Sequence, residues 1–392
     1  VNATYDTAEY EQSLWASIDA GGTETYGRGD ADAALEASDR RISSDYFVPH
    51  QHHIPMEPPA ATAEWDGDDL KIWTCCQDPQ AVQNTVGPYV DKKPEDIYVE
   101  ATLLGGAFGR KSKPDFAVEA AILAKHAGKP VKMIWTREDD IRHGFYHAIS
   151  TQRIDVGLDA SGRISAWDHR AAYPSFMETA SRQPTDAAAS FEVAPIMQQP
   201  FAIPHMRIRS GDAKAHVRVG WLRSVTSIQH GFAVGSMVDE IAEVTGQRPD
   251  EVWFELFGSV LSGAELSDAD RPEPRPLVAE RLSAVFRRVV EMSDYGRALP
   301  DRTGIGLAAW TSFGSFTAAA LEVTVGEGGE VRVPRAWTAI DCGLAVSPDL
   351  VRAQMEGAVV FGLSIALHGE LTVKNGAVVQ DNFDNYEVCR IR

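Results

Sequence analysis

From Asp69 to Arg137 the sequence switches between two hydrophobic periods, and this alternation limits the fold more than any other feature. Leu70 to Cys75, Ile97 to Leu104 and Val131 to Thr136 have the short β-rich form of strands. Asp78 to Val90 and Asp115 to Ala127 have helical spacing, the first with Asp78 as cap and Pro79 in the first turn. Strand–helix–strand order at this spacing predicts an α/β or α+β layer. Three later hairpin signals favour α+β. Ile154 to Asp159 and Ile164 to Asp168 flank Ala160-Ser161-Gly162. Leu321 to Val325 and Val331 to Val333 flank a glycine-rich turn, and Leu371 to Val373 and Ala377 to Val379 flank Asn375-Gly376. The expected class is α+β, with mixed sheets, hairpins and packed helices.

Helices are also expected at Glu9 to Ile18 and Ala31 to Ser38, separated by a Gly/Thr-rich turn from Gly21 to Gly29. Further helices are expected at Ser227 to Thr245, Pro249 to Phe257, Pro276 to Met292 and Pro348 to Leu367. A strand is expected at Arg41 to Phe47, before a proline-bearing stretch. The loop-like, acidic stretch from Gly258 to Pro276 reads as a boundary. The expected organisation is a helical segment at 1–40, an α+β region at 41–257, a linker at 258–276 and a second α+β region at 277–392.

Composition excludes several classes. A net charge of -19 repels phosphate backbones, so no nucleic-acid partner is expected. Apolar runs such as Gly357 to Leu367 fall short of the roughly 20 residues that cross a bilayer, so an integral membrane protein is not expected. The four cysteines, Cys75, Cys76, Cys342 and Cys389, match neither a disulfide framework nor a zinc or iron–sulfur spacing. The opening VNATYDTAEY has no basic or apolar leader region, so no signal peptide is expected; a processed product, or one piece of a larger protein, fits the same opening.

Five segments could carry chemistry. In Leu103-Leu-Gly-Gly-Ala-Phe-Gly-Arg110, glycines permit close backbone approach, and the amides with Arg110, Lys111 and Lys113 could hold an anion. A tight strand–helix turn explains the same residues. Gln354 and Glu356 lead into an apolar helix whose Gly357 and Gly362 suggest close packing against a helix, sheet or cofactor. Arg223 precedes a long amphipathic helix and by itself reads as a surface or salt-bridging residue. His50, His52 and His53 lack a ligand partner at metal spacing and read as hydrogen-bonding loop residues. Cys75-Cys76 reads as buried packing. No metal-ligating side chain is assigned.

Together, and in this order, the segments resemble the molybdenum-cofactor-binding large subunits of the xanthine oxidase/aldehyde oxidase family, of the isoquinoline 1-oxidoreductase and bacterial aldehyde dehydrogenase type. Five stretches carry the resemblance: His53-Ile-Pro-Met-Glu-Pro58, Gly105-Gly-Ala-Phe-Gly-Arg110, Val131-Lys-Met-Ile-Trp-Thr-Arg-Glu-Asp-Asp-Ile141, Trp221-Leu-Arg-Ser-Val225, and Asp341-Cys-Gly with Val351-Arg-Ala-Gln-Met-Glu-Gly357. The resemblance implies a molybdopterin-binding-domain-like fold and a molybdenum–pyranopterin in its cytosine dinucleotide form. It implies hydroxylation of an aldehyde or N-heterocycle with a water-derived oxygen. Electrons would leave through a small [2Fe–2S] subunit, with cytochrome c a candidate further acceptor.

By position, the resemblance implies that Gln77 hydrogen-bonds the metal's oxo ligand. The backbone of Gly106, Ala107, Phe108, Gly109 and Arg110 would lie against the cofactor, with Phe108 near the substrate. Arg223 would face the substrate or stabilise developing negative charge, and Gln354 would bind the pterin. The family's Met-Gly-Gln-Gly segment and its Gly-x-Gly-Glu-Pro base do not occur in these residues. Ala107 replaces the middle glycine of the loop, Gly235 stands where a Glu is common, and an Arg usual near Trp253-Phe254 is missing. The resemblance therefore implies a further chain or segment that completes the site. The alternative is a non-catalytic scaffold or a fragment that has lost its base. A periplasmic location is expected, with the cytoplasm as alternative.

Overall fold

Four β-sheets organise the chain in the computed structural model, which describes residues 3–181, 190–258 and 276–390. The five-stranded sheet runs Thr23–Arg28, His205–Gly211, Ile164–Ala172, Ser150–Leu158, Arg40–Val48. The four-stranded sheet runs Ile97–Ala101, Asp69–Thr74, Ala60–Asp66, Val131–Ile134, and the three-stranded sheet is the meander Thr303–Ser312, Ser315–Val325, Val331–Asp341. Both larger sheets mix parallel and antiparallel pairs. The α+β class is therefore the observed one.

The expected helices form. Pro79–Val90 starts where Asp78 accepts a hydrogen bond from the Ala81 amide at 3.1 Å, and Asp115–Ala127 follows the glycine loop. Both pack on the four-stranded sheet through Val82, Val86, Phe116 and Ala120 against Ala63 and Ile72. The long helix Ser227–Thr245 is buried between the five-stranded sheet (Ile154, Val156, Ile208) and the meander (Leu307, Ala309, Phe316). A third cluster joins the two ends of the chain, with Tyr5, Leu14 and Ile18 against Leu371, Val373 and Tyr386.

Three differences from the sequence expectations have physical causes. The turn expected from Gly21 to Gly29 shrinks to Gly21 and Gly22, both at positive φ, and Thr23–Arg28 becomes an edge strand on His205–Gly211. Its β-type Thr and Tyr residues pair once that neighbour is supplied. Gly357 and Gly362 do not pack closely: a β-carbon at either would meet nothing within 4 Å. They lie on Pro348–Leu367, a helix with no buried residue. That helix also corrects the view that apolar runs are too short. At 20 residues and a mean hydropathy of 1.4, it is long and apolar enough to cross a membrane by length and composition. The boundary expected at Gly258 to Pro276 lies, but for its two end residues, outside the described residues.

Candidate functional site

The glycine loop leaves the strand Ile97–Ala101 and closes on itself at three turns of unusual backbone. Gly106, Phe108 and Gly109 have φ of 91°, 55° and 110°. Positive φ is ordinary for glycine and costly for phenylalanine, and such strain persists only where surrounding contacts fix it. The contacts come from the other family-like stretches. Glu57 takes a hydrogen bond from the Gly105 amide at 2.9 Å and pairs with the buried Lys111 ammonium at 2.7 Å. Arg137 braces the same stretch by donating to the Pro55 carbonyl at 2.6 Å. His53 Nε2 donates to the Trp221 carbonyl at 3.1 Å.

The nominated residues are brought together by direct bonds. The Gly109 amide donates to Gln77 Oε1 at 3.1 Å, and the Gln77 amide donates to the Lys111 carbonyl at 3.2 Å. The Arg223 amide donates to the Phe108 carbonyl at 2.8 Å, and its guanidinium donates to the Gln354 carbonyl at 3.0 Å. Ala107 is buried beneath the loop. Phe108 packs on Phe361 with ring centres 4.8 Å apart, tying the loop to the helix Pro348–Leu367. A β-carbon on Gly109 would stand 1.9 Å from the Trp221 carbonyl oxygen, so that glycine is required by the meeting of two loops.

The basic residues after the loop do not form an anion seat. Arg110 is fully buried, paired with Asp115 at 2.9 Å and facing Asp140 among Trp135 and Phe145. Lys111 is committed to Glu57, and Lys113 lies 3.6 Å over the Trp221 ring, where burial lowers its pKa to about 8. Sequence spacing could not separate these inward charges from surface ones. Arg223 differs. It is partly desolvated, which lowers its pKa, and no described carboxylate lies within ion-pair distance. Among the described residues its positive charge is uncompensated.

The histidines are structural. His50, His52 and His53 are buried, held neutral by desolvation, and bonded to the His147, Asp140 and Trp221 carbonyls. No grouping with metal-binding character occurs among the described residues. Beside the Arg223 loop opens a cavity of about 670 Å³ that sequence reasoning did not find. Its walls include Phe176, Pro195, Trp221, Val225, Phe313 and Phe316. Val225 and Phe313 have φ of 51° and 49°, a conformation that bulky residues rarely adopt.

The sequence model of the molybdopterin cofactor-binding domain matches residues 18–254, and a second such model matches 278–392. This chain belongs to the molybdopterin cofactor-binding family. Within it, the chain is of the xanthine oxidase type. It is 30% identical over 369 residues to the beta subunit of isoquinoline 1-oxidoreductase from Brevundimonas diminuta, covering 92% of this chain and 45% of that one. It is 29% identical to the membrane-bound aldehyde dehydrogenase [pyrroloquinoline-quinone] of Gluconacetobacter polyoxogenes, covering 95% and 49%. It is 26% identical to a nicotinate dehydrogenase subunit of Pseudomonas putida, covering 92% and 31%. The chain thus spans less than half the length of each of these three relatives. In fold it is similar to CO dehydrogenase from Oligotropha carboxidovorans, with a TM-score of 0.70 at 12% identity, covering 100% of this chain and 74% of that one.

The residues present fit a pyranopterin. The uncompensated, half-buried Arg223 suits an anionic group. Gln77 gives its oxygen to Gly109 and keeps its side-chain N–H donors on an exposed face. The strained backbone of the loop is fixed between them.

Proposed function

We propose that this chain forms one side of the cofactor site of a molybdenum hydroxylase. The assembled enzyme oxidises an aldehyde or an electron-poor N-heterocycle, takes its oxygen from water and passes electrons to a [2Fe–2S] subunit. The observation that carries this reading is the convergence of Gln77, the Gly106–Arg110 loop, Arg223 and Gln354 through direct hydrogen bonds, with an apolar cavity alongside.

The pyranopterin, in its cytosine dinucleotide form, supplies the two-electron redox chemistry when bound. Gln77 orients it by donating its side-chain N–H groups. Arg223 holds negative charge with a planar fork that the Gln354 carbonyl fixes in place, while the Phe108 carbonyl anchors its backbone amide. Trp221, Val225 and Phe313 keep water from the reacting face and shape the cavity.

A further chain or segment completes the enzyme. The apolar helix Pro348–Leu367 has no buried residue, and Leu344 and Val346 before it are both 88% exposed. Surface of that kind marks an interface. Two of the relatives are named as single subunits of larger enzymes, in agreement with this reading.

The test is oxidation of benzaldehyde and of isoquinoline by the natively purified assembly in ¹⁸O-enriched water. The expected product carries the label at the oxidised carbon. Oxidation without label, or no oxidation of either class, overturns the reading.

A further inference from the structure

Glu192 stands in the wall of the cavity beside Arg223 and is the one acid among its described lining residues. It lies on the helix Ser190–Met197 and is only 1% exposed. Burying a carboxylate among Phe176, Pro195 and Val225 is costly unless partners hold its charge. Those partners are few. Ser175 donates to one carboxylate oxygen, while Oε2 has no hydrogen-bond partner. The backbone amides of Phe176 and Met177 also face the carboxyl and help stabilise its charge.

Nothing cationic answers it among the described residues. Tyr173, from the five-stranded sheet's side, stays a neutral phenol. His230, from the helix Ser227–Thr245, is neutral and faces the Glu192 backbone carbonyl. Thr226 donates to the same backbone carbonyl at 2.7 Å. Desolvation raises the Glu192 pKa to about 7, so the carboxyl exchanges its proton near neutrality. In a low-dielectric wall its charge acts across the cavity with little screening.

We propose that Glu192 sets the charge preference of this cavity: it takes aromatic ligands carrying a protonated basic nitrogen and rejects aromatic carboxylates. A cation in the cavity offsets the charge of the carboxylate buried in its wall, and a carboxylate ligand adds a second negative charge beside it. This deepens the molybdenum hydroxylase reading and rests on it for the step from ligand to substrate. Of the two substrate classes named above, it selects N-heterocycles with a basic ring nitrogen. A carboxylated ring such as nicotinate would be disfavoured.

The test is calorimetric titration of the natively purified assembly with three benzene derivatives of one shape: benzamidine (cation), benzamide (neutral) and benzoate (anion). Wild type is expected to bind benzamidine at least about tenfold more tightly than benzoate. Glu192→Gln is expected to bring the two within about threefold while benzamide affinity holds. In wild type, benzamidine affinity is expected to rise from pH 6 to pH 8, because the carboxyl must be ionised, while benzamide affinity stays flat. Should Glu192→Gln also lose benzamide, the wall has been disrupted, and the wild-type pH series alone decides. Benzoate bound as tightly as benzamidine overturns the proposal, as does a preference retained in a Glu192→Gln variant that still binds benzamide, or a flat pH series. These titrations need no metal. An assembly without molybdenum would sink the functional reading and leave the charge preference standing.

Discussion

Arg223 is held at both ends by backbone carbonyl groups and by no described acid, an arrangement that leaves a fixed cationic fork with charge to spare. A lysine would keep the charge but lose the planar, two-pronged geometry. Arg223→Lys is expected to lower kcat/KM by at least about tenfold with molybdenum content unchanged. Steady-state kinetics beside metal analysis check this, and full activity would reassign Arg223 to a structural role. Gly109 is constrained differently. Its φ of 110° and its 1.9 Å approach to the Trp221 carbonyl leave no room for a side chain. Gly109→Val therefore pushes back the loop that carries Arg223. The expected result is loss of molybdenum with the circular dichroism spectrum preserved, since the surrounding sheets do not depend on this connection. Normal metal content in the variant would contradict it.

At the scale of elements, local chemistry was legible and distant pairing was not. Asp78-Pro79 opens a helix and Asn375-Gly376 turns a hairpin because each signal acts within a few residues. Thr303–Ser312 carried no readable signal: its Gly- and Ala-rich run becomes a strand only because Ser315–Val325 lies against it. The site divides in the same way. Resemblance placed Gln77, Gly109, Arg223 and Gln354, but the bonds joining them cross from 32 to 131 positions of chain. Spacing cannot show such bonds, nor the Glu57–Lys111 clamp or the cavity. The helix Pro348–Leu367 yields a prediction of its own. Val360 is 55% exposed on an apolar surface. Val360→Glu is expected to leave the secondary structure of the chain intact and to prevent recovery of the assembly. Co-purification and size-exclusion read this, and an intact assembly would place the interface elsewhere.

The whole molecule stores acid sensitivity in its interior. His50, His53, His147 and His169 are buried with pKa values lowered to about 4, 3, 4 and 3, and His52 and His230 are lowered well below the usual value. In each case desolvation is the main cause. The unfolded chain regains the ordinary histidine value of about 6.5 and so binds more protons below it. The stabilisation is complete above that pH and is lost as pH falls toward 4. The buried carboxyls Asp140, Glu192, Asp239 and Glu255 have raised pKa values and oppose the trend, but they are outnumbered. Thermal melting of the native assembly is expected to show Tm falling steadily from pH 7 to pH 5. A flat profile would mean that these histidines are solvated.

The central claim is that this chain helps to hold a molybdenum cofactor, and metal analysis of the natively purified assembly tests it most directly. The account predicts stoichiometric molybdenum with each copy of this chain, released as a pterin on denaturation. An intact assembly that contains this chain and no molybdenum would contradict it.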